Sequence, residues 1–224
     1  MRALLSLLAA ALVAGAVATP AVATIRIGVG DESPAMFTEP AFTALGARMA
    51  RYFIPWDAMR RPDVLAQADA YVEAARAAGV RVLMHISTND YTHGVARLPS
   101  VAAYDRYVGF LVDRYRPLGV VDWGVWNEEN HISEPTWRSP ARAAAFFRAM
   151  TGMCPGCKLV ALDLLDARSA PKYVTAFYRA LGPVNRRRAA IVGIHNYEDV
   201  NFRRRTGTGG ILAAARAAST YASA

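Results

Sequence analysis

Cysteine and lysine are scarce in this chain of 224 residues: there are two cysteines, and among 26 basic residues only Lys158 and Lys172 are lysines. Both cysteines fall in Cys154-Pro155-Gly156-Cys157, and with no histidine close in sequence the pair lacks the two further ligands of a zinc site. In an oxidising compartment that spacing suits a small local disulfide, with inert thiols or a redox pair as the alternatives. A phosphate loop, a Gly-x-Ser-x-Gly elbow and any metal-ligand cluster are missing too, which argues against nucleotide-dependent, serine-hydrolase and metallohydrolase chemistry. No metal or other cofactor is expected. The formal charge of +8 is almost all arginine, spread through helical segments. Its two runs, 186–188 and 203–205, fall in predicted loops without interleaved aromatics, so a solvated surface is expected and a nucleic-acid partner is not.

Long apolar runs are confined to the start. Met1-Arg2 leads into an apolar stretch from Ala3 to Ala18 and a small-residue exit at Ala21-Val22-Ala23. That pattern predicts a secretory signal peptide cut after Ala23, hence an exported product with no membrane segment in its mature form. An uncleaved anchor is the alternative, but the stretch is shorter than the ~20 residues that span a bilayer. Removal of residues 1–23 leaves 201 residues, the size of one domain, 24–224, expected as a monomer.

Strand-like and helix-like segments then alternate. The predicted strands are 25–29, 48–53, 81–86, 122–126, 158–162 and 191–196; the predicted helices are 38–45, 62–78, 101–115, 140–150, 171–181 and 210–218. The second helix shows the signals well: Pro62 opens it, Leu65, Ala68, Val72 and Ala75 recur at helical spacing, and Gly79 ends it before an apolar strand. Six such units predict a parallel sheet covered by helices. A doubly wound nucleotide-binding sheet is disfavoured, because Gly28-Val29-Gly30 is followed by Asp31-Glu32 where a third glycine and a pyrophosphate would have to fit. A (β/α)8 barrel suits the pattern better, yet it requires eight units and only about six are legible; Ser219 to Ala224 does not read as a seventh strand.

The chemistry concentrates in Trp126-Asn127-Glu128-Glu129, where an apolar run ends on an amide and two acids. Glycoside cleavage requires two carboxyl groups, one protonated towards the leaving oxygen and one ionised. Glu128 suits the acid. Asn127 could hydrogen-bond a sugar hydroxyl if the chain twists between the two residues, and Trp126 or Trp123 is either core or a platform for a sugar ring. Glu129 is expected to point elsewhere. His195 and Tyr197 share a face at the end of the sixth strand, Arg51 lies near the end of the second, and His85 closes the third with Asn89 and Asp90 beyond it. Asp31, Asp163 and Asp166 also follow strands without a specific signature.

Trp126-Asn127-Glu128 at the end of a fourth strand resembles the signature of clan A glycoside hydrolases, over roughly residues 25–197. The resemblance implies a retaining O-glycosidase on a (β/α)8 barrel acting on a carbohydrate, with Glu128 as general acid/base. It also implies a glutamate nucleophile on a seventh strand that is not legible here, a His195/Tyr197 pair beside that nucleophile, and Arg51 as its ionic partner. Glu198 and Asp199 are the only acids after His195 available as substitutes. A barrel that binds carbohydrate without cleaving it is the alternative.

Overall fold

The computed structural model of the chain describes residues 25–88, 97–203 and 206–220; the predicted signal peptide, Asn89 and Asp90 lie outside them. Six parallel strands form one sheet: β1 Val29–Gly30, β2 Met49–Pro55, β3 Arg81–Ser87, β4 Asp122–Gly124, β5 Lys158–Leu165 and β6 Ile191–His195. They lie in sequence order from β1 to β6. Strictly sequential order is the winding of a barrel; a doubly wound sheet would reverse direction at a switch point. The fold is therefore α/β with the connectivity of an incomplete (β/α) barrel.

The connecting helices are α1 Pro40–Leu45, α2 Pro62–Ala77, α3 Val101–Tyr115, α4 Pro140–Met153, α5 Ala170–Arg188, α6 Tyr197–Asn201 and α7 Thr206–Thr220. Most begin as their sequences dictate. Ser100 accepts a hydrogen bond from the Ala103 N–H to cap α3, and Pro40, Pro62 and Pro140 occupy first turns where a missing N–H costs nothing. The predicted stop at Leu181 marks a real break: Gly182 adopts φ 76° before Pro183, and the chain re-enters helical geometry beyond it, so Arg186 to Arg188 are helical rather than loop. The predicted loop after β6 is likewise a short helix, α6.

Burial alternates along β2 and divides it between two faces. In β2, Ala50, Tyr52 and Ile54 are buried while the residues between them are partly open. Tyr52 packs on Tyr71 of α2 with ring centroids 4.5 Å apart, which places the apolar core between sheet and helices. Farther along that core, Trp126 stacks on Phe146 at 5.6 Å and Phe146 on Tyr104 at 4.2 Å, while the Tyr104 hydroxyl donates to the Val125 carbonyl. A disulfide joins Cys154 to Cys157 between α4 and β5.

The opposite, inner face carries the polar residues. Two glycines make that possible. A Cβ on Gly124 would sit 2.0 Å from the His85 ring, and one on Gly193 would sit 2.0 Å from Asp163 Oδ1. Register pairs His85 with Gly124 and Asp163 with Gly193, so each bulky polar side chain leans over a strand that has left room for it. At the sheet margins, β1 pairs only with β2 and β6 only with β5 among the described residues. The predicted first strand shrinks to two residues, and Ile25 and Ile27 stand exposed beside it.

Candidate active site

Arg51 of β2, His85 of β3, Glu128 from the bend after β4, Asp163 of β5 and His195 at the end of β6 meet on the inner face. Glu128 follows β4 in a tight bend. Its φ of 45° is left-handed, which is unusual for a residue with a Cβ and costs roughly 1 kcal/mol or more. The bend is locked from both sides. The Asn127 N–H donates to the Ile86 carbonyl, the Glu129 N–H donates to the Asp163 carbonyl, and the Asp163 N–H returns a bond to Glu129 Oε2 at 2.8 Å.

That geometry separates neighbours in sequence. Glu128, with a side chain 18% exposed, places Oε1 2.5 Å from His195 Nδ1. Asn127 instead lines a cavity of about 380 Å³ with Glu32, Phe53, Pro55, Gln67, Ser87 and others, and its Oδ1 has no hydrogen-bond partner among the described residues. Glu128 is not part of that lining. The expected twist between the two is present, but it sends them apart instead of into one pocket. Glu129 is fully buried, and desolvation pushes its carboxyl well above the usual range.

His195 is the hub. Its Nε2 lies 3.0 Å from Asp163 Oδ2 and 2.9 Å from Arg51 Nη1. The Asp163 approach is a close charge pair and not an aligned hydrogen bond, since Oδ2 meets no hydrogen-bond geometry there. Burial alone would make the imidazolium less stable; the carboxylates of Asp163 and Glu128 outweigh it and hold the ring's pKa up to about 9. Asp163 is the reciprocal case: burial works against its charge, but His195, His85 and Arg51 keep the carboxyl below its ordinary value. Arg51 lies 3.8 Å from Asp163 and stacks over Phe53, with its Cζ 4.5 Å from the ring centroid. The anionic partner that an inward arginine requires is thus Asp163 on β5.

The remaining candidates divide. Tyr197 is half exposed as the first residue of α6, its ring 5.5 Å from that of His195. His85 is 1% exposed; desolvation lowers its pKa, and Nε2 sits 3.2 Å from the Trp126 carbonyl and 3.4 Å from Asp163. It supports the cluster from below and has no open face for a ligand. Trp126 and Trp123 are fully buried, and the Trp126 indole donates to Glu134 Oε2 at 2.9 Å, so neither offers a ring at the rim.

The late acids serve backbone ends. Asp166 accepts from the Glu198 and Asp199 N–H groups at the start of α6, and Asp199 accepts from the Gly207 and Thr208 N–H groups at the start of α7. Asp31 accepts from the Ser33 N–H. Sequence reasoning undervalued Asp163, although a signal was there: an acid between Leu162 and Leu164 in an apolar strand must be buried, and a buried carboxylate has cationic partners. Phe53 and Glu134 carried no comparable signal. Among the described residues no group of three or more potential metal ligands occurs, and no helix is long and apolar enough to cross a membrane.

No protein-family profile and no curated protein matches the chain. Solved structures similar to it include a GH30 endoxylanase from Clostridium papyrosolvens C71, at 16% identity and TM-score 0.49, covering 69% of this chain and 47% of that one. Another is the exo-β-1,4-mannosidase Op5Man5 from Opitutaceae bacterium strain TAV5, at 13% identity and TM-score 0.46, covering 89% of this chain and 60% of that one. The chain therefore spans about half of the first and three fifths of the second.

Proposed function

We propose that this chain carries the acid/base half of an O-glycoside hydrolase site, with Glu128 as general acid/base. The observation that supports this reading is the mounting of Glu128: a partly open carboxylate on a strained bend at the end of β4, 2.5 Å from His195 Nδ1. Proton donation to a leaving glycosidic oxygen needs a carboxyl within reach of both substrate and a proton source. Tyr197, half exposed beside His195, lines the rim on which a carbohydrate substrate would rest. The nucleophile of a retaining reaction would be a glutamate on a seventh strand next to β6. Asp163 does not take that role, because its side chain is 4% exposed and the His195 ring stands between it and Glu128.

Azide tests this directly, because a small anion can stand in for a nucleophilic carboxylate that none of the described residues supplies. An aryl β-glycoside incubated with the chain and azide is expected to yield the glycosyl azide of inverted configuration. No product across a panel of glycosides would remove the catalytic reading and favour a barrel that binds carbohydrate without cleaving it. Export is proposed from the apolar leader, and N-terminal sequencing of the secreted product should begin at Thr24; retention of residues 1–23 would contradict it.

A further inference from the structure

Two inner-face groups, Arg51 and Asp163, converge on one nitrogen of the His195 ring. Its Nε2 is contested. Arg51 Nη1, 2.9 Å away, can donate to this nitrogen only when it is bare, whereas Asp163 Oδ2, 3.0 Å away, is attractive only when it carries a hydrogen. His85 does not compete: buried and neutral, it approaches the Trp126 carbonyl at 3.2 Å and Asp163 at 3.4 Å. The other nitrogen of the His195 ring, Nδ1, faces Glu128 Oε1 at 2.5 Å.

The holder of Nε2 decides what Nδ1 can do. When Nε2 is bare and accepts from Arg51, the neutral ring has its single proton on Nδ1, and surrendering it to Glu128 would leave an imidazolate. Glu128 then stays an ionised acceptor. When Asp163 keeps a proton on Nε2, Nδ1 can carry a second proton and release it. The N–H electron pair stays on Nδ1, Glu128 Oε1 gains the proton, the ring goes from cation to neutral, and the charge of the site is unchanged.

We propose that Asp163 is a positioning residue that holds the proton on His195 Nε2 and so lets His195 Nδ1 supply the proton with which Glu128 acts as an acid. Arg51 is the competing donor that favours the ionised form of Glu128. This rests on the reading of Glu128 as an acid. The groups facing His195 are Arg51 from β2, Glu128 from the bend after β4, Asp163 from β5 and Tyr197 from α6, with His85 of β3 behind Asp163. The same logic orders the tautomer of the histidine in serine-protease triads, where the buried aspartate never contacts substrate.

Nitrogen-15 NMR of the histidine rings in the 224-residue chain reads both the tautomer and the titration, with His195 assigned by its loss in His195→Gln. The wild-type ring is expected to keep Nε2 protonated at neutral pH and to titrate near pH 9. In Asp163→Asn the midpoint should fall by about one pH unit or more, and the neutral ring should carry its proton on Nδ1. An unchanged midpoint and tautomer would overturn the proposal. The substitution spares the backbone groups of residue 163 that pair with Glu129. Should that variant fail to fold, Arg51→Met poses the same question with opposite sign: Nε2 should stay protonated to higher pH, and a fall or no change would overturn the proposal. These shifts are read without substrate. Their presence alongside a failed azide reaction would remove the hydrolase reading and leave the proton linkage, and the converse pair of results would do the reverse.

Discussion

Glu128 and His195 form the pair on which the site depends, and their linkage is a stability statement as well as a chemical one. The His195 pKa is raised from 6.5 to about 9, so its stabilising contribution is complete below pH ~6.5 and is lost as pH rises through about 9. The loss should be about 2 kcal/mol, less than the full shift implies because the Asp163 contact is poorly aligned. Glu129, raised by burial, loses stability in the same direction, so the comparison must be between wild type and His195→Gln. Urea unfolding at pH 6.5 and pH 9 should give a difference in wild type that shrinks in the variant; equal differences would show that the ring makes no net ionic contribution. A second residue-scale prediction concerns Gly193. Its added methyl in Gly193→Ala would meet Asp163 Oδ1, which must swing off its partners. The His195 midpoint should then fall as in Asp163→Asn, measurable by the same titration, and an unaltered midpoint would show that the strand moves instead of the carboxylate.

Among the elements, α7 depends on a chain of caps: Asp166 holds the start of α6, and Asp199 of α6 holds the start of α7. Asp199→Ala should destabilise α7 by about 1 kcal/mol, seen as faster amide exchange there with β2 to β5 unaffected. Uniform loss of protection across the chain would contradict a local role. The helices were the most legible parts of the sequence, since Pro62, Ser100 and Pro140 are local signals that act locally. Helix α3 spans the predicted 101–115. The failures were tertiary in origin. Glu198 and Asp199 read as a loop because their helix is held by Asp166, thirty-odd residues earlier in the chain. The sequence favours core over platform for Trp126 without deciding it, and Tyr104 of α3 and Phe146 of α4 are what cover the ring. Glu128 and His195 stand at strand ends, as expected; Arg51 does not, and its side chain reaches His195 from the third residue of β2. The divergence of Asn127 from Glu128 was not legible, because it turns on one left-handed φ.

For the molecule as a whole, sequential parallel order from β1 to β6 gives the connectivity of a barrel and leaves both margins of the sheet unpaired among the described residues. Arg51 and Phe53, on the inner face of β2, are partly exposed. Arg51, Asp163, His195 and Glu128 converge on that face as one connected polar cluster. The acid role of Glu128 is tested most directly by the azide-supported consumption of two aryl β-glycosides, one with a good and one with a poor leaving group, by wild type and by Glu128→Gln. A general acid matters in proportion to the leaving group's need for a proton, and such catalysis typically contributes 10²–10⁴-fold. Glu128→Gln is expected to lose roughly that factor on the poor leaving group and little on the good one. Equal rates for the two proteins on both substrates would contradict it.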